Sequence, residues 1–248
     1  MKQAVIVCHR GACRHAPENT FASLEKAIEL GADVVELDVR PSRDGVLYVL
    51  HDDTLDRTTS GSGRLSDLAS AELDRLDAGA WFSPGFAGEC IPRLDAFLDA
   101  CRGRIGTYVE IKQGDPGEVR DMLAARGMLD DAWTFSFDQA IREEARAKVP
   151  DLKRKILFAH VGSMERAVAQ ADHILEFDVD TLEEHLVSEA KAANLITQMF
   201  YDGDDRQVFE NAVRYGIDQM NIDHVEVFRD VEGTVLSPIA RSGSNHPG

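Results

Sequence analysis

Short apolar runs alternate with helical patterns along most of the chain. Eight runs are rich in β-branched residues, and most of them precede a segment with helical spacing. Alternation of strand and helix predicts parallel strands that pair in one sheet. Eight such units within 248 residues predict an α/β fold, a TIM (β/α)8 barrel. The predicted strands span residues 4–9, 33–39, 108–112, 132–136, 155–159, 173–177, 195–200 and 218–222.

The segment between the first two predicted strands has the clearest helical pattern. Asn19 or Thr20 can cap its N-terminus, and Gly31 can end it. Its apolar side chains recur on one face, at Phe21, Leu24 and Ile28. This segment is therefore the first predicted crossover of the barrel.

One further apolar run, residues 46–51, interrupts the alternation. Only six residues separate it from the second strand, which is too short for a parallel crossover. Asp44-Gly45 lies in that gap, and this dipeptide favours a tight hairpin. With the dipeptide as the whole turn, Asp38 pairs with His51. The predicted hairpin extends the second strand and brings His51 to its acidic residues.

The segment from about residue 52 to 106 departs from the barrel pattern. It opens on the turn-rich residues 58–63 and has two short helical patterns, near 68–76 and 94–102. We interpret it as a small lobe inserted after the hairpin, within a single domain of residues 1–248. The Ser-, Gly- and Pro-containing tail, residues 242–248, is polar, and a neighbouring subunit of a homo-oligomer could hold it.

The overall charge limits the classes of partner. The formal net charge is −17, which argues against nucleic acid and against anionic lipid surfaces. A phosphate ester would therefore need local positive charge at the site. The four cysteines form no C-x-x-C pair, and no signal peptide or transmembrane segment is evident. We expect a cytoplasmic protein.

Acidic residues cluster on two of the predicted strands. Glu36 and Asp38 stand two residues apart on the second strand, so their side chains leave the same face. Glu110 and Lys112 repeat this arrangement on the third barrel strand. Functional groups of a TIM barrel lie at the C-terminal strand ends, where these residues would meet. Three converging carboxylates favour a hard divalent cation, Mg²⁺ or Ca²⁺.

The first strand ends in His9-Arg10-Gly11 at the same predicted mouth. Arginine offers a planar fork for phosphate oxygens, and histidine titrates in the range that acid–base catalysis needs. Together with His51, His9 would provide the acid and the base that cleavage of a phosphodiester requires.

These residues form part of an ordered series of motifs that resembles the glycerophosphodiester phosphodiesterase family. The resemblance spans roughly residues 5–138 and implies a TIM barrel with a small insertion after the hairpin. Its motifs are His9-Arg10-Gly11, Pro17-Glu18-Asn19-Thr20, residues 31–39, Asp44-Gly45, His51-Asp52, residues 57–63, Ile91-Pro92-Arg93-Leu94, Glu110-Ile111-Lys112 and Ser136-Phe137.

The resemblance also implies a role for each candidate residue. Glu36, Asp38 and Glu110 would hold the divalent metal. The acid and base would be His9 and His51, in an order that the sequence leaves open, and the residues that grip the phosphate would be Arg10 and Lys112. The implied reaction is metal-dependent hydrolysis of a glycerophosphodiester to glycerol 3-phosphate and an alcohol.

The C-terminal half departs from the family pattern. It has Met199-Phe200-Tyr201 and Asn221-Ile222-Asp223-His224 where the family tends to have other residues, which leaves the substrate open. Alternatives are a lysophospholipase-D-like hydrolase and an enzyme that stops at a cyclic phosphate. A barrel that binds phosphometabolites without turnover is the non-enzymatic alternative. An amidohydrolase is disfavoured because the first strand lacks a His-x-His pair.

Overall fold

The computed structural model describes residues 3–170 and 172–237. The predicted polar tail, residues 242–248, lies outside these ranges. Within them the chain forms eight barrel strands and one hairpin strand. They are β1 (Val5–Cys8), β2 (Val34–Pro41), β3 (Leu47–Val49), β4 (Gly106–Ile111), β5 (Ala132–Phe135), β6 (Lys153–Leu157), β7 (Ile174–Phe177), β8 (Ile196–Tyr201) and β9 (Gln219–Ile222).

The eight barrel strands are parallel and close on themselves. Each pairs with its neighbour in chain order, apart from the antiparallel hairpin strand β3. The ring closes where β1 pairs with β2 on one side and with β9 on the other. Seven of these strands are wholly or mostly buried in the interior, which explains their near-continuous apolar runs. The TIM barrel predicted from the sequence is confirmed.

Helices connect the strands around the outside of the barrel. Over the described ranges they are α1 (Phe21–Glu29), α2 (Ser70–Leu73), α3 (Leu94–Cys101), α4 (Pro116–Ala125), α5 (Gln139–Lys148), α6 (Phe158–Val161), α7 (Met164–Ala169), α8 (Glu184–Ala192), α9 (Arg206–Tyr215) and α10 (Val225–Leu236). Short 3-10 turns lie at Leu65–Asp67, Pro84–Phe86 and Leu129–Asp131. None of the described helices combines the length and the apolar character that a membrane span requires.

The hairpin forms where the sequence predicts it, but in a different register. Val39 pairs with Val49 and Pro41 with Leu47, so Asp38 faces Leu50, whose amide donates to the Asp38 carbonyl (3.0 Å). The turn therefore has three residues rather than two. Its last residue, Gly45, has φ +84°, a conformation that glycine adopts without steric cost. The predicted pairing of Asp38 with His51 is wrong by one residue.

The lobe after the hairpin has a small apolar core of its own. The side chains of Tyr48, Leu55 and Leu73 are buried there, together with Ile91. Helix α3, by contrast, packs its Phe97 into the main barrel core. This helix corresponds to the second predicted helical pattern, near residues 94–102, and serves as a crossover between β2 and β4. The division into barrel, lobe and tail stays a prediction.

Candidate active site

A pocket of about 270 Å³ opens at the C-terminal mouth of the barrel. Five of the seven residues that the sequence singles out line this pocket. They are His9, Arg10, His51, Glu110 and Lys112. The other two, Glu36 and Asp38, lie directly behind them on β2. The barrel thus brings all seven residues together, although they come from four separate segments of the chain.

Three carboxylates form the centre of the site. Oxygens of Glu36, Asp38 and Glu110 all lie within 4.8 Å of one another. Asp38 and Glu110 are direct partners in the register between β2 and β4, which sets two side chains on one face. Glu36 and Asp38 are each 1% exposed, and Glu110 is 7% exposed. An all-oxygen set of this kind has the chemistry of a Mg²⁺ or Ca²⁺ site.

The protonation of these carboxylates reflects their crowding. Burial, followed by repulsion from Asp38, raises the pKa of Glu36 to about 8. Burial and Asp38 likewise raise the pKa of Glu110. Burial also acts to raise the pKa of Asp38, but Lys112, His51 and Arg10 outweigh it and lower that pKa. Asp38 is therefore the carboxylate of the cluster that ionises most readily, whereas Glu36 keeps its proton up to about pH 8.

We expect chelated protein to lose stability as the pH rises from 4.5 towards 8. Glu36 keeps its proton in the folded state up to about pH 8, whereas in the unfolded chain it ionises near 4.5. The folded state binds more protons in that window, so unfolding becomes easier by about 1.4 kcal/mol per pH unit for this one group. Melting temperatures in chelator at pH 5.5 and 8 measure the effect.

Two controls separate this effect from general pH sensitivity. Glu36→Gln removes the titrating group and should flatten the stability loss. Added Mg²⁺ or Ca²⁺ should stabilise the wild type more at pH 8 than at pH 5.5, since the cation competes with protons. A wild-type melting temperature that stays constant or rises over this window in chelator would contradict the raised pKa of Glu36.

Two cationic side chains surround the carboxylates. The Lys112 ammonium lies 3.1 Å from Asp38 Oδ1 and also donates to Glu110. Arg10 donates from Nη1 to Glu18 (3.1 Å), and its Nε lies 3.5 Å from Asp38 Oδ2. That Nε is buried and has no hydrogen-bond partner. The pocket therefore has the local positive charge that an anionic substrate needs in a protein of net charge −17.

The backbone at the end of β1 is shaped around the cluster. Arg10 has φ +54°, a strained conformation for a non-glycine residue, and its amide donates to Glu36 Oε2 (2.8 Å). Gly11 follows at φ +73°, and a Cβ there would lie 2.5 Å from Ser23 Oγ. The close approach of this loop to α1 therefore requires glycine in the His-Arg-Gly motif.

His9 is oriented by an acidic partner from the far end of the chain. Its Nδ1 lies 2.8 Å from Asp223 Oδ1. Burial acts to lower the pKa of His9, but Asp223 and Glu36 outweigh it and raise that pKa. Because the pKa of Asp223 is lowered, its ionised carboxylate accepts the Nδ1 proton, which leaves Nε2 for proton exchange. The ring of Phe200 packs edge-on against the imidazole at 5.0 Å.

His51 has a similar arrangement on the other side of the pocket. Its Nδ1 lies 2.7 Å from Asp52 Oδ1. Arg57 holds Asp52 through Nε (2.7 Å) and reaches across to Glu18 through Nη1 (2.8 Å). Burial, together with the positive charges of Lys112 and Arg10, lowers the pKa of His51 against the opposing effect of Asp38 and Asp52. Arg57 thus bridges Asp52, the partner of His51, and Glu18, the partner of Arg10.

Asn19 has a different role from the helix cap that the sequence allows. Thr20 caps α1, and its side chain accepts from the Ser23 amide. Asn19 has φ +58° and donates from Nδ2 to Asp38 Oδ2 (2.8 Å), while its Oδ1 accepts from the Asp38 amide (3.3 Å). Its amide group therefore fixes the orientation of the central carboxylate.

Further aromatic and histidine side chains lie in the pocket or around it. Phe200 lines the pocket, whereas Tyr201 packs against Phe209 in the core. His15 pairs with the exposed Glu226, with 2.8 Å between Nε2 and Oε1. His160 stacks near Phe135 at 6.1 Å between ring centres. Of the two aromatic side chains at the end of β8, Phe200 alone lines the pocket.

Comparisons with known sequences agree on one family. The model of the glycerophosphoryl diester phosphodiesterase family matches residues 9–227. A glycerophosphodiester phosphodiesterase of Caldanaerobacter subterraneus is 49% identical over 163 residues, 63% of this chain and 67% of that protein. One of Bacillus subtilis is 39% identical over 129 residues, 48% of this chain and 44% of that protein. A further relative is aligned over 56% of its length, so the chain spans about half to two thirds of these curated relatives.

Solved structures cover more of the chain. The crystal structure of a glycerophosphodiester phosphodiesterase from Agrobacterium tumefaciens has a TM-score of 0.88 and 39% identity, over 92% of this chain and all of that one. An Oleispira antarctica phosphodiesterase, solved with its product sn-glycerol-3-phosphate, has a TM-score of 0.82 and 28% identity, over 91% of this chain and 95% of that one.

Proposed function

The chain belongs to the glycerophosphoryl diester phosphodiesterase family, and from that premise we propose that it hydrolyses glycerophosphodiesters to glycerol 3-phosphate and an alcohol. The family and the enzyme class predicted from the sequence are confirmed. The substrate, the cation and the role of each residue belong to the proposal. One observation carries it: two histidines with carboxylate partners line the same pocket as two cationic side chains, and a carboxylate cluster adjoins that pocket.

The proposed roles follow from this arrangement. Arg10 and Lys112 bind the phosphate oxygens and offset their charge. One of the two histidines takes the proton of the nucleophile, which is water or the glycerol hydroxyl of the substrate. The other donates a proton to the alcohol oxygen as its bond to phosphorus breaks. Attack by the glycerol hydroxyl would give a cyclic phosphate that a second step hydrolyses.

The donor set supports a divalent cation as part of the proposal. Glu36, Asp38 and Glu110 offer oxygens alone, and the raised pKa values of two of them reflect crowding that a cation would relieve. When bound, a Mg²⁺ or Ca²⁺ ion would neutralise charge on the phosphoryl oxygens. Asn19 would hold Asp38 in place as a ligand, much as partners of ligating carboxylates do elsewhere.

Release of glycerol 3-phosphate from glycerophosphocholine tests the function. We expect turnover by the full chain with Mg²⁺ or Ca²⁺ and none above background after chelation, because the cluster would lose its cation. Add-back of each ion separately shows which one restores activity. Chelator-resistant turnover would contradict the metal requirement, and the absence of turnover with either ion would contradict the proposed substrate.

The same assay, followed by phosphorus NMR, separates the alternatives. A two-step hydrolysis shows at most a transient cyclic ester, whereas an enzyme that stops at the cyclic phosphate accumulates it. Comparison with a lysophospholipid substrate tests for lysophospholipase-D-like activity. Binding of glycerol 3-phosphate without turnover of any of these diesters would identify a non-catalytic phosphometabolite-binding barrel.

A further inference from the structure

A second group of metal-ligating side chains includes His9 but none of the three clustered carboxylates. Ligand atoms of His9, Cys13 and Asp223 all lie within 4.8 Å of one another. His9 lines the pocket, whereas Cys13 and Asp223 are not among the residues that line it. The group therefore lies behind the imidazole, at its Nδ1 edge.

The barrel backbone holds these three side chains in place. His9 follows β1 directly, and its amide donates to the carbonyl of Ile222, the last residue of β9 (3.1 Å). Asp223 comes next, so the parallel pairing of β1 with β9 sets the carboxylate beside the imidazole. Cys13 lies in the turn that follows, where its amide donates to the Gly11 carbonyl (2.8 Å). The three ligands therefore project from ordered backbone, which favours a preorganised metal site.

Asp223 contacts both of the other members of the group. Its Oδ1 lies 2.8 Å from His9 Nδ1, and its carboxylate also contacts the Cys13 thiol. The side chains of His9 and Asp223 are 16% and 14% exposed, and Cys13 is half-buried, so solvent reaches the group. A thiol that binds a metal ion gives up its proton. An ion at this position would therefore replace the hydrogens of two existing contacts with bonds to the same three side chains.

The donor atoms of this group differ from those of the carboxylate cluster. They are one sulfur, one imidazole nitrogen and one carboxylate oxygen, a combination that favours Zn²⁺ over Mg²⁺ or Ca²⁺. A thiolate and a carboxylate together offset the two positive charges of the ion. Three protein ligands leave the fourth position of a tetrahedral zinc site to water. The mouth of the barrel therefore has two ligand sets with different metal preferences.

We propose that His9, Cys13 and Asp223 bind Zn²⁺ and that the bound ion inhibits the enzyme. Binding displaces the thiol proton to solvent and clears Nδ1, so the one ring proton of the neutral imidazole lies on Nε2. This imidazole has no nitrogen left to accept a proton, and donation of its remaining proton would leave an imidazolate. His9 is then lost both as an acid and as a base. The binding site is independent of the proposed function, but the inhibition rests on the role proposed there for His9.

Absorption by Co²⁺, a spectroscopic substitute for Zn²⁺, tests the site without requiring turnover. A thiolate bound to Co²⁺ gives a near-ultraviolet charge-transfer band, which carboxylates do not give. The full chain is first placed in excess Ca²⁺, which occupies the carboxylate cluster. We expect the band in the wild type and its absence in Cys13→Ser. Cys90→Ser is the matched control, because Cys90 is also a half-buried free cysteine but lies in the lobe, and it should keep the band.

Calorimetry under the same conditions gives the affinity for Zn²⁺ itself. We expect Cys13→Ser to bind Zn²⁺ more than about tenfold more weakly than the wild type, because the loss of a ligand costs at least as much as the loss of its outer partner. A wild type that shows no thiolate–Co²⁺ band, or a Zn²⁺ affinity that is equal in Cys13→Ser, would overturn the site.

Turnover of glycerophosphocholine connects the site to His9. Zn²⁺ should inhibit the wild type and Cys90→Ser, whereas Cys13→Ser should need a Zn²⁺ concentration more than about tenfold higher. Without Zn²⁺ the activity of Cys13→Ser should match the wild type, since its hydroxyl can still contact Asp223. Equal inhibition of Cys13→Ser and the wild type would overturn the inhibitory role and indicate that Zn²⁺ acts at the carboxylate cluster. Failure of the wild type to cleave this diester in the absence of Zn²⁺ would instead count against the proposed function, and the Co²⁺ band would still decide whether the site exists.

Discussion

Replacement of His51 by alanine is expected to lower kcat for glycerophosphocholine by about 10²- to 10⁴-fold, the range for the loss of a positioned acid or base. His9→Ala should have an effect of the same order. Both imidazoles line the pocket, and each has a carboxylate that fixes its Nδ1. KM should change much less than kcat, because in the proposed mechanism the phosphate would still be bound by Arg10 and Lys112.

The pH dependence of the two variants distinguishes the role of each histidine. The pKa of His9 is raised and that of His51 is lowered, so His9 holds its proton to a higher pH than His51 does, which suits His9 to the role of acid and His51 to that of base. We expect His51→Ala to lose the acidic limb of the pH–rate profile and His9→Ala the alkaline limb. His185, which is exposed on α8, provides a control whose alanine variant should behave as wild type. Full activity in His51→Ala would rule out its place in the mechanism.

The barrel could be predicted from the sequence because its strands are buried on both faces. Such strands appear as near-continuous apolar runs, and all eight predicted runs overlap an observed strand. The main error in bounds is at β6, where the predicted run continued to residue 159. The chain instead turns into the short helix α6 at Phe158, a change that the apolar residues Leu157 and Phe158 do not signal.

The register of the hairpin could not be predicted from its turn dipeptide alone. Asp44-Gly45 is compatible with a two-residue turn and with the three-residue turn that the structure has. Side chains decide between them: Ser42 Oγ donates to Asp44 (2.8 Å), and Asp44 in turn accepts from the amide and hydroxyl of Ser70. Ser70 belongs to the lobe, so the deciding contact is far from the turn in sequence.

The pairings among the supporting residues of the site could not be predicted, for the same reason. His9 and Asp223 are separated by 214 positions, and Arg57 and Glu18 by 39. Local spacing carries no signal for such pairs. Asn19 was visible, but its position before a helix favoured a capping role, and only the backbone φ of +58° turns its side chain towards Asp38. Strand periodicity thus predicts which residues meet at the mouth, whereas the contacts that orient them require the folded chain.

Asp38→Asn is expected to weaken divalent-cation binding by more than about 100-fold, the upper end of what the loss of an outer partner of a ligand costs. Asp38 is the carboxylate of the cluster whose pKa is lowered, so it provides the negative charge that is present before any cation binds. The substitution keeps the size of the side chain and an oxygen that can accept from Asn19. Calorimetry with Mg²⁺ and Ca²⁺ measures the loss, and turnover should fall with it.

The fold should tolerate this change better than the site does. Lys112 keeps Glu110 as a partner and Arg10 keeps Glu18, so neither side chain is left without an ion pair. We therefore expect a loss of about 1–3 kcal/mol in unfolding free energy. Asp74→Asn is the matched control, because Asp74 also pairs with an arginine, Arg93, but lies in the lobe and away from the pocket. Cation binding should be unchanged in that variant. Cation affinity in Asp38→Asn equal to that of Asp74→Asn would show that Asp38 is not a ligand, and the site would then have to rest on Glu36 and Glu110, whose pKa values are both raised.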